Sequence, residues 1–192
     1  MKPTALLLTP GAGSDRNHAA LKAIEAAVAP LPVARIDFPY RKAGRRAPDR
    51  APILIKCIRE EAAVLVAQRG IRPSSLALGG RSMGGRICSL AVAEGVPAAA
   101  LVLISYPLHP PGKPDTLRVD HFGVLDVPCL FVSGTKDPFG SPAELERHAK
   151  KIAGPVTHVW IDGGGHDFKH HDDEVAEKVH LWLRGLGRRG AR

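Results

Sequence analysis

Gly80-Arg81-Ser82-Met83-Gly84 fits the pattern G-x-S-x-G, a serine framed by glycines two residues away on either side. It closes an apolar run, "SLALGG" (75–80), and opens a segment of helical character, "SMGGRICSLAVAEG". A hydroxyl on such a strand-to-helix turn stands proud of the backbone, and side chains at the flanking glycine positions would clash. The backbone N–H of Met83 and the start of the helix then face the point where negative charge develops on an attacked carbonyl. Serine is a poor nucleophile at neutral pH, so it needs a base, and the base needs an orienting acid. Asp137 in "SGTKDPFG" and His166 in "IDGGGHDF" each follow a later apolar run, in the chain order Ser, acid, His. A second oxyanion donor is expected from "TPGAGSD" (9–15), where Gly11 and Gly13 free the backbone and Ala12 presents its N–H.

The same residues have other readings. Asp137 also fits a helix cap or the first residue of a turn with Pro138. Asp162 is a rival acid, but it lies on the strand that leads to His166 and should point elsewhere. His109, His121, His170 and His171 compete with His166. The His166/His170 pair in "HDFKHHDD" would suit a metal only on a helix, whereas the glycines before His166 predict a loop. No cysteine is near, no metal is expected, and His170 and His171 are expected to start the last helix on its solvated side. Arg81 and Arg86 flank the serine turn. Pairing a substrate carboxylate is one role, but a structural role is favoured, for Arg86 an ion pair with an acid on a neighbouring helix. Candidate substrate-pocket residues are Gly11, Gly13, Arg81, Tyr106 and His109.

These residues need a scaffold that brings loop ends together. Strand-like runs are expected at 4–11, 33–38, 75–80, 99–106, 128–134 and 157–162. Helices are expected over 17–31, 52–70, from 82 onward, near 141–153 and near 172–186. The strand-like runs show little polar alternation, which predicts strands covered on both faces, as in a parallel sheet. Regular alternation of strand and helix predicts an α/β fold: a doubly wound, mainly parallel six-stranded sheet with helices on both faces. Ser82, Asp137 and His166 would then share the carboxyl edge of that sheet. The first and third strands can lie side by side at a topological switch point, which would set the Ala12 loop beside the serine turn. The proline-rich stretch 107–127 reads as an ordered surface loop, too short for a helical cap domain. One domain is expected over 1–187, followed by a basic tail, 188–192.

The chain has 192 residues, 44% hydrophobic and 24% charged, ordinary for a globular protein with a sizeable core. No apolar run reaches the roughly 18 residues of a membrane helix, and no membrane partner is expected. The amino-terminal apolar stretch is short and runs into a glycine turn, so it reads as a first strand rather than a signal peptide. The three cysteines, Cys57, Cys88 and Cys129, sit in apolar stretches and read as buried free thiols of a cytoplasmic protein. The net charge of +8 is concentrated at 41–50 and 184–192. No aromatic residues are interleaved there as a stacking platform would require, so nucleic acid is not an expected partner and these runs read as a solvated loop and tail.

The segments "GAGSD", "GGRSMGG", "YPLHPPGKPD", "GTKDPFG" and "GGGHDFK" together resemble the α/β-hydrolase superfamily. They are most similar to a small dienelactone-hydrolase-like branch that includes a testis-expressed protein and a histone-acetyltransferase complex subunit. The resemblance covers nearly the whole chain. It implies a minimal fold without cap domain or the first two strands of the full fold, with six parallel strands ordered 2-1-3-4-5-6. The chain departs from the pattern at Pro10, where such loops carry histidine.

The expected activity is that of a serine hydrolase cleaving a small ester, thioester or lactone through an acyl-enzyme, with no cofactor. The alternative is a non-catalytic interaction protein that keeps the fold and uses its basic surface or the 107–127 loop as a contact face. A peptidase or acyltransferase with the same three residues is a third reading. The partner expected is a small acyl substrate; the sequence does not specify an oligomeric state.

Overall fold

The computed structural model describes residues 2–187; the basic tail expected at 188–192 lies outside them. Six strands form one sheet in the order β2-β1-β3-β4-β5-β6, and every neighbouring pair is parallel. They are β1 (Ala5–Thr9), β2 (Val33–Arg35), β3 (Leu76–Arg81), β4 (Ala100–Ile104), β5 (Cys129–Gly134) and β6 (Val156–Ile161). The helices are α1 (Ala19–Ala27), α2 (Pro39–Lys42), α3 (Ala51–Arg69), α4 (Met83–Ala93), α5 (Pro142–Ala149) and α6 (Asp172–Gly185).

The unbroken apolar runs have a physical cause in this layering. Successive strand residues point to opposite faces, and both faces are covered. In β1, Leu6 and Leu8 pack under α1 and α6 with Leu21, Ile24, Val175 and Val179, while Leu7 faces the other way. That second layer holds Leu54 and Ile58 of α3, Ile87 of α4 and Leu145 of α5. All five residues of β1 and of β4 are buried, as a central strand covered on both sides must be.

Some boundaries differ from expectation. Strand β2 leaves the ladder after Arg35, although Ile36 still donates to Leu8 O at 3.1 Å. The chain then turns into α2, a short helix with proline in its first turn, and the expected loop follows over 43–50. The basic run that follows is tied down. Arg41 lies 4.0 Å from Asp15, Lys42 2.7 Å from Glu61, and Arg45 2.8 Å from Asp49. Helix α1 begins where the His18 side chain accepts from Ala20 N–H and stops short of Pro30, which lacks a donor. The 107–127 stretch is ordered: Leu108, Val119, Phe122 and Leu125 are buried, and Arg118 N–H donates to Leu108 O at 2.9 Å.

The order reverses direction between β1 and β3, so the loops leaving these two strands diverge and leave a crevice at their carboxyl ends. Thr9 pairs with Gly80, which sets the Gly11 loop abreast of Ser82. Among the described residues, no helix is long and apolar enough to cross a membrane.

Candidate active site

Ser82 sits between β3 and α4 with φ 51° and ψ −120°, a left-handed conformation rare for a residue with a side chain. Its N–H donates to Ile104 O at 2.7 Å, which anchors the turn to β4. The flanking glycines are a matter of space. A Cβ on Gly80 would lie 2.6 Å from Thr9 O, and one on Gly84 2.5 Å from Pro10 O. Helix α4 can therefore start directly over β1 only if both positions lack a side chain.

Asp137 follows β5 and His166 follows β6, and the two loops are stitched together. Lys136 N–H donates to Gly164 O at 2.9 Å, and Gly163 N–H donates to Thr135 Oγ1 at 2.8 Å. This brings His166 Nδ1 to 2.9 and 3.0 Å from the two Asp137 oxygens. On its other side His166 Nε2 stands 2.8 Å from Ser82 Oγ. The tautomer with its proton on Nδ1 donates to Asp137 and leaves Nε2 to accept from the serine hydroxyl. The Asp137 side chain is only 2% exposed, so the carboxylate is fixed against the imidazole with little competition from water. It also accepts from Phe139 N–H at 2.9 Å, closing a turn on Pro138. The turn contact and the contact to His166 thus coexist on one carboxylate. Asp162, the rival, is exposed and accepts from Thr135 Oγ1 at 3.3 Å.

The two expected oxyanion donors are N–H groups of Met83, first residue of α4, and of Ala12. Neither makes a hydrogen bond among the described residues. The Ala12 loop is against Ser82: a Cβ on Gly11 would stand 3.6 Å from Ser82 Cβ. A cleft of about 580 Å³ opens beside this loop, lined by Gly13, His18, Arg41, Arg81 and Asp167 among others. A larger cleft of about 630 Å³ lies against Thr4, Pro32 and Leu183, at the opposite end of the sheet and away from Ser82.

Arg81 is nearly buried, and its Nη2 donates to the main-chain oxygen of His166 at 2.8 Å. Burial lowers its pKa, opposed by the nearby carboxylates of Asp167, Asp137 and Asp172. Burial, and then the Arg81 charge, likewise lower the pKa of His18. Arg86 does not make the ion pair expected of it among the described residues, and its Nε is buried without a partner. The helix places it beside the 107–127 loop rather than opposite an acid; burial first, and then the Arg86 charge, lower the pKa values of Arg118 and His121.

Tyr106 is a core residue, not a cleft residue. It is 1% exposed, packs on Phe122 and Phe131, and donates to Arg118 O at 2.7 Å. His109 is also buried: its N–H donates to Phe139 O at 3.1 Å and its Nδ1 to Pro110 O at 2.8 Å. His170, with φ 65°, is exposed, and His171 occupies the position before α6 without a capping side-chain bond. Among the described residues no three His, Cys, Asp or Glu side chains converge as a metal cage.

Two neighbours of the site were not foreseen. The Phe139 ring stacks on His166 at 4.0 Å between centroids, a contact whose signal in the sequence is only its place two residues after Asp137. Tyr40 donates to Ala12 O at 2.8 Å, and nothing in "PYRK" announces it.

A parallel sheet of this order, with a strained serine between β3 and α4, defines the α/β-hydrolase class. The chain belongs to that family: the family model described as "Alpha/beta hydrolase domain" matches residues 2–184. The fold is shared with an alpha-beta serine hydrolase homologue from Coxiella burnetii, at TM-score 0.73 and 16% identity over 97% of this chain and 87% of that one. A dienelactone hydrolase from Anabaena variabilis superposes at TM-score 0.73 with 19% identity, over 95% of this chain and 87% of that one. The type II thioesterase BorB of the borrelidin biosynthetic cluster does so at TM-score 0.68 with 20% identity, over 95% and 94%. In sequence, 63 residues are 38% identical to epoxide hydrolase A of Mycobacterium tuberculosis, which is 32% of this chain and only 20% of that protein.

Proposed function

We propose that this α/β hydrolase is a serine hydrolase that cleaves a small ester, thioester or lactone through an acyl-enzyme. One observation carries the reading: a single imidazole bridges Ser82 Oγ at 2.8 Å and the buried Asp137 carboxylate at 2.9 Å. That spacing permits proton transfer in step with attack.

In this reading Ser82 Oγ bonds to the substrate carbonyl carbon as its proton passes to His166 Nε2. The carbonyl electrons move onto oxygen, where the N–H groups of Met83 and Ala12 receive the charge. Asp137 holds the imidazole in the required tautomer and stabilises its charged form. Collapse expels the alcohol or thiol, which takes the proton from His166. Water then repeats the sequence on the acyl-enzyme, His166 takes its proton, and the acid leaves as Ser82 regains its own. No cofactor enters any step. We place the activity in the cytoplasm, on the three buried, unpaired thiols.

A fluorophosphonate tests this, because it reacts with a serine that is both activated and faced by oxyanion donors. Intact-mass spectrometry should show one adduct on the wild type and none on Ser82→Ala. His166→Ala should label far more slowly. Folded wild type that takes no label across several inhibitor sizes overturns the reading in favour of a non-catalytic interaction protein. Labelling that survives Ser82→Ala names the wrong serine.

A further inference from the structure

The Ala12 loop is built from small residues and would be a soft mount for a catalytic N–H. The structure pins it on both sides of Ala12. Gly11 C=O accepts from Ser14 N–H at 3.1 Å, and Ala12 C=O accepts from the Tyr40 hydroxyl at 2.8 Å. A peptide unit is planar, with its N–H and C=O pointing in opposite directions. Holding the Gly11 carbonyl therefore aims the Ala12 N–H away from the turn, and holding the Ala12 carbonyl fixes the plane that follows. Together the two bonds set the backbone torsions of Ala12 itself.

Tyr40 is suited to this. It is fully buried, stacked on Phe38, and carried by α2, an element separate from the loop it grips. Burial raises its pKa, so the hydroxyl keeps the proton it donates. The next residue, Arg41, lies 4.0 Å from Asp15 at the far end of the same loop. The loop in turn meets the nucleophile, since a Cβ on Gly11 would stand 3.6 Å from Ser82 Cβ.

We infer that Tyr40 is a positioning residue that holds the Ala12 N–H on the developing oxyanion through its hydrogen bond to the Ala12 carbonyl. The inference rests on the acyl-enzyme reading above. Oxyanion donors accelerate a reaction only when they are already aimed before charge develops. Tyr40 is fully buried and does not line the cleft beside the loop, so its loss should leave ground-state binding nearly intact and weaken the transition state.

The test uses the full chain, p-nitrophenyl acetate as substrate and benzeneboronic acid as a tetrahedral mimic. Tyr40→Phe removes one oxygen and keeps the ring, so the fold should hold, as circular dichroism can verify. The expected result is a fall in kcat of about tenfold, the scale of one hydrogen bond, with KM within about twofold. The inhibition constant of the boronic acid should rise by the factor that kcat/KM falls. Tyr40→4-aminophenylalanine, which returns a donor to the same place, should restore both. A Tyr40→Phe enzyme with unchanged kcat overturns the inference. So does a loss of kcat without weaker boronate binding, or one that the amino analogue fails to restore. If instead the wild type neither turns over nor takes a fluorophosphonate label, it is the acyl-enzyme reading that fails.

Discussion

Arg81 donates to the main-chain oxygen of His166 at 2.8 Å, so the residue before Ser82 grips the loop that carries His166. The two are far apart in the chain and lie on loops or strands separated by β4 and β5. Arg81 is buried, and among the described residues it has no ion pair within 4.0 Å and its Nε finds no partner. A buried guanidinium kept in that state marks the bond to His166 as its main anchor.

Replacing Arg81 should therefore loosen the base. Arg81→Met is expected to lower kcat on the order of 10-fold to 100-fold, the scale of one charge-assisted hydrogen bond. Arg81→Lys keeps the charge without the planar fork and should fall between. Steady-state ester hydrolysis on variants of wild-type circular dichroism measures this. Wild-type rates in Arg81→Met would show that His166 is held by other bonds alone.

The two acids at the sheet edge should differ sharply. Asp137→Asn leaves an amide where the imidazole needs an acceptor, and kcat should drop on the order of 10⁴-fold. Asp162, which accepts from Thr135 and is exposed, is different: Asp162→Asn should change kcat less than about twofold. Comparable losses in the two variants would reverse the assignment.

Gly84→Ala should destabilise the protein, because the added Cβ would meet Pro10 O at 2.5 Å and Thr9 O at 2.7 Å. Both are backbone atoms of the central strand and its exit, and cannot swing aside. The cost expected is about 1–3 kcal/mol, read from urea unfolding. The pocket glycine Gly13 has open space around it, and Gly13→Ala should leave stability nearly unchanged.

His121 should make stability depend on pH. Its pKa is lowered from 6.5 to about 4, first by burial and then by the Arg86 charge, with Asp120 opposing. The unfolded chain takes up a proton as pH falls through 6.5, while the folded chain refuses it until about 4. Stability is thus lost progressively across that window and this loss levels off below it. His121→Gln keeps a polar partner for Ser89, which lies 2.7 Å from His121 Nε2, but does not titrate. Its thermal midpoint should fall less between pH 6.5 and 4.5 than that of the wild type. Equal slopes would mean that other groups carry the effect.

The sequence by itself determined the strands, the helices that alternate with them and the turn at Ser82. These are written in consecutive residues: apolar runs covered on both faces, and glycines where α4 must cross β1. It also put Asp137 and His166 at the ends of two strands, and a parallel sheet collects strand ends at one edge. The tertiary structure alone decided which groups hold that edge in place. Tyr40 reaches Ala12, Arg81 reaches His166, and Phe139 stacks on the imidazole through side chains whose partners lie on other loops. It also decided against Tyr106 as a cleft residue and against an acid for Arg86, since both depend on how 107–127 folds over α4. Backbone periodicity depends on near neighbours and is legible along the chain. A hydrogen bond between residues distant in sequence depends on the packing of every element between them, and no local pattern encodes it.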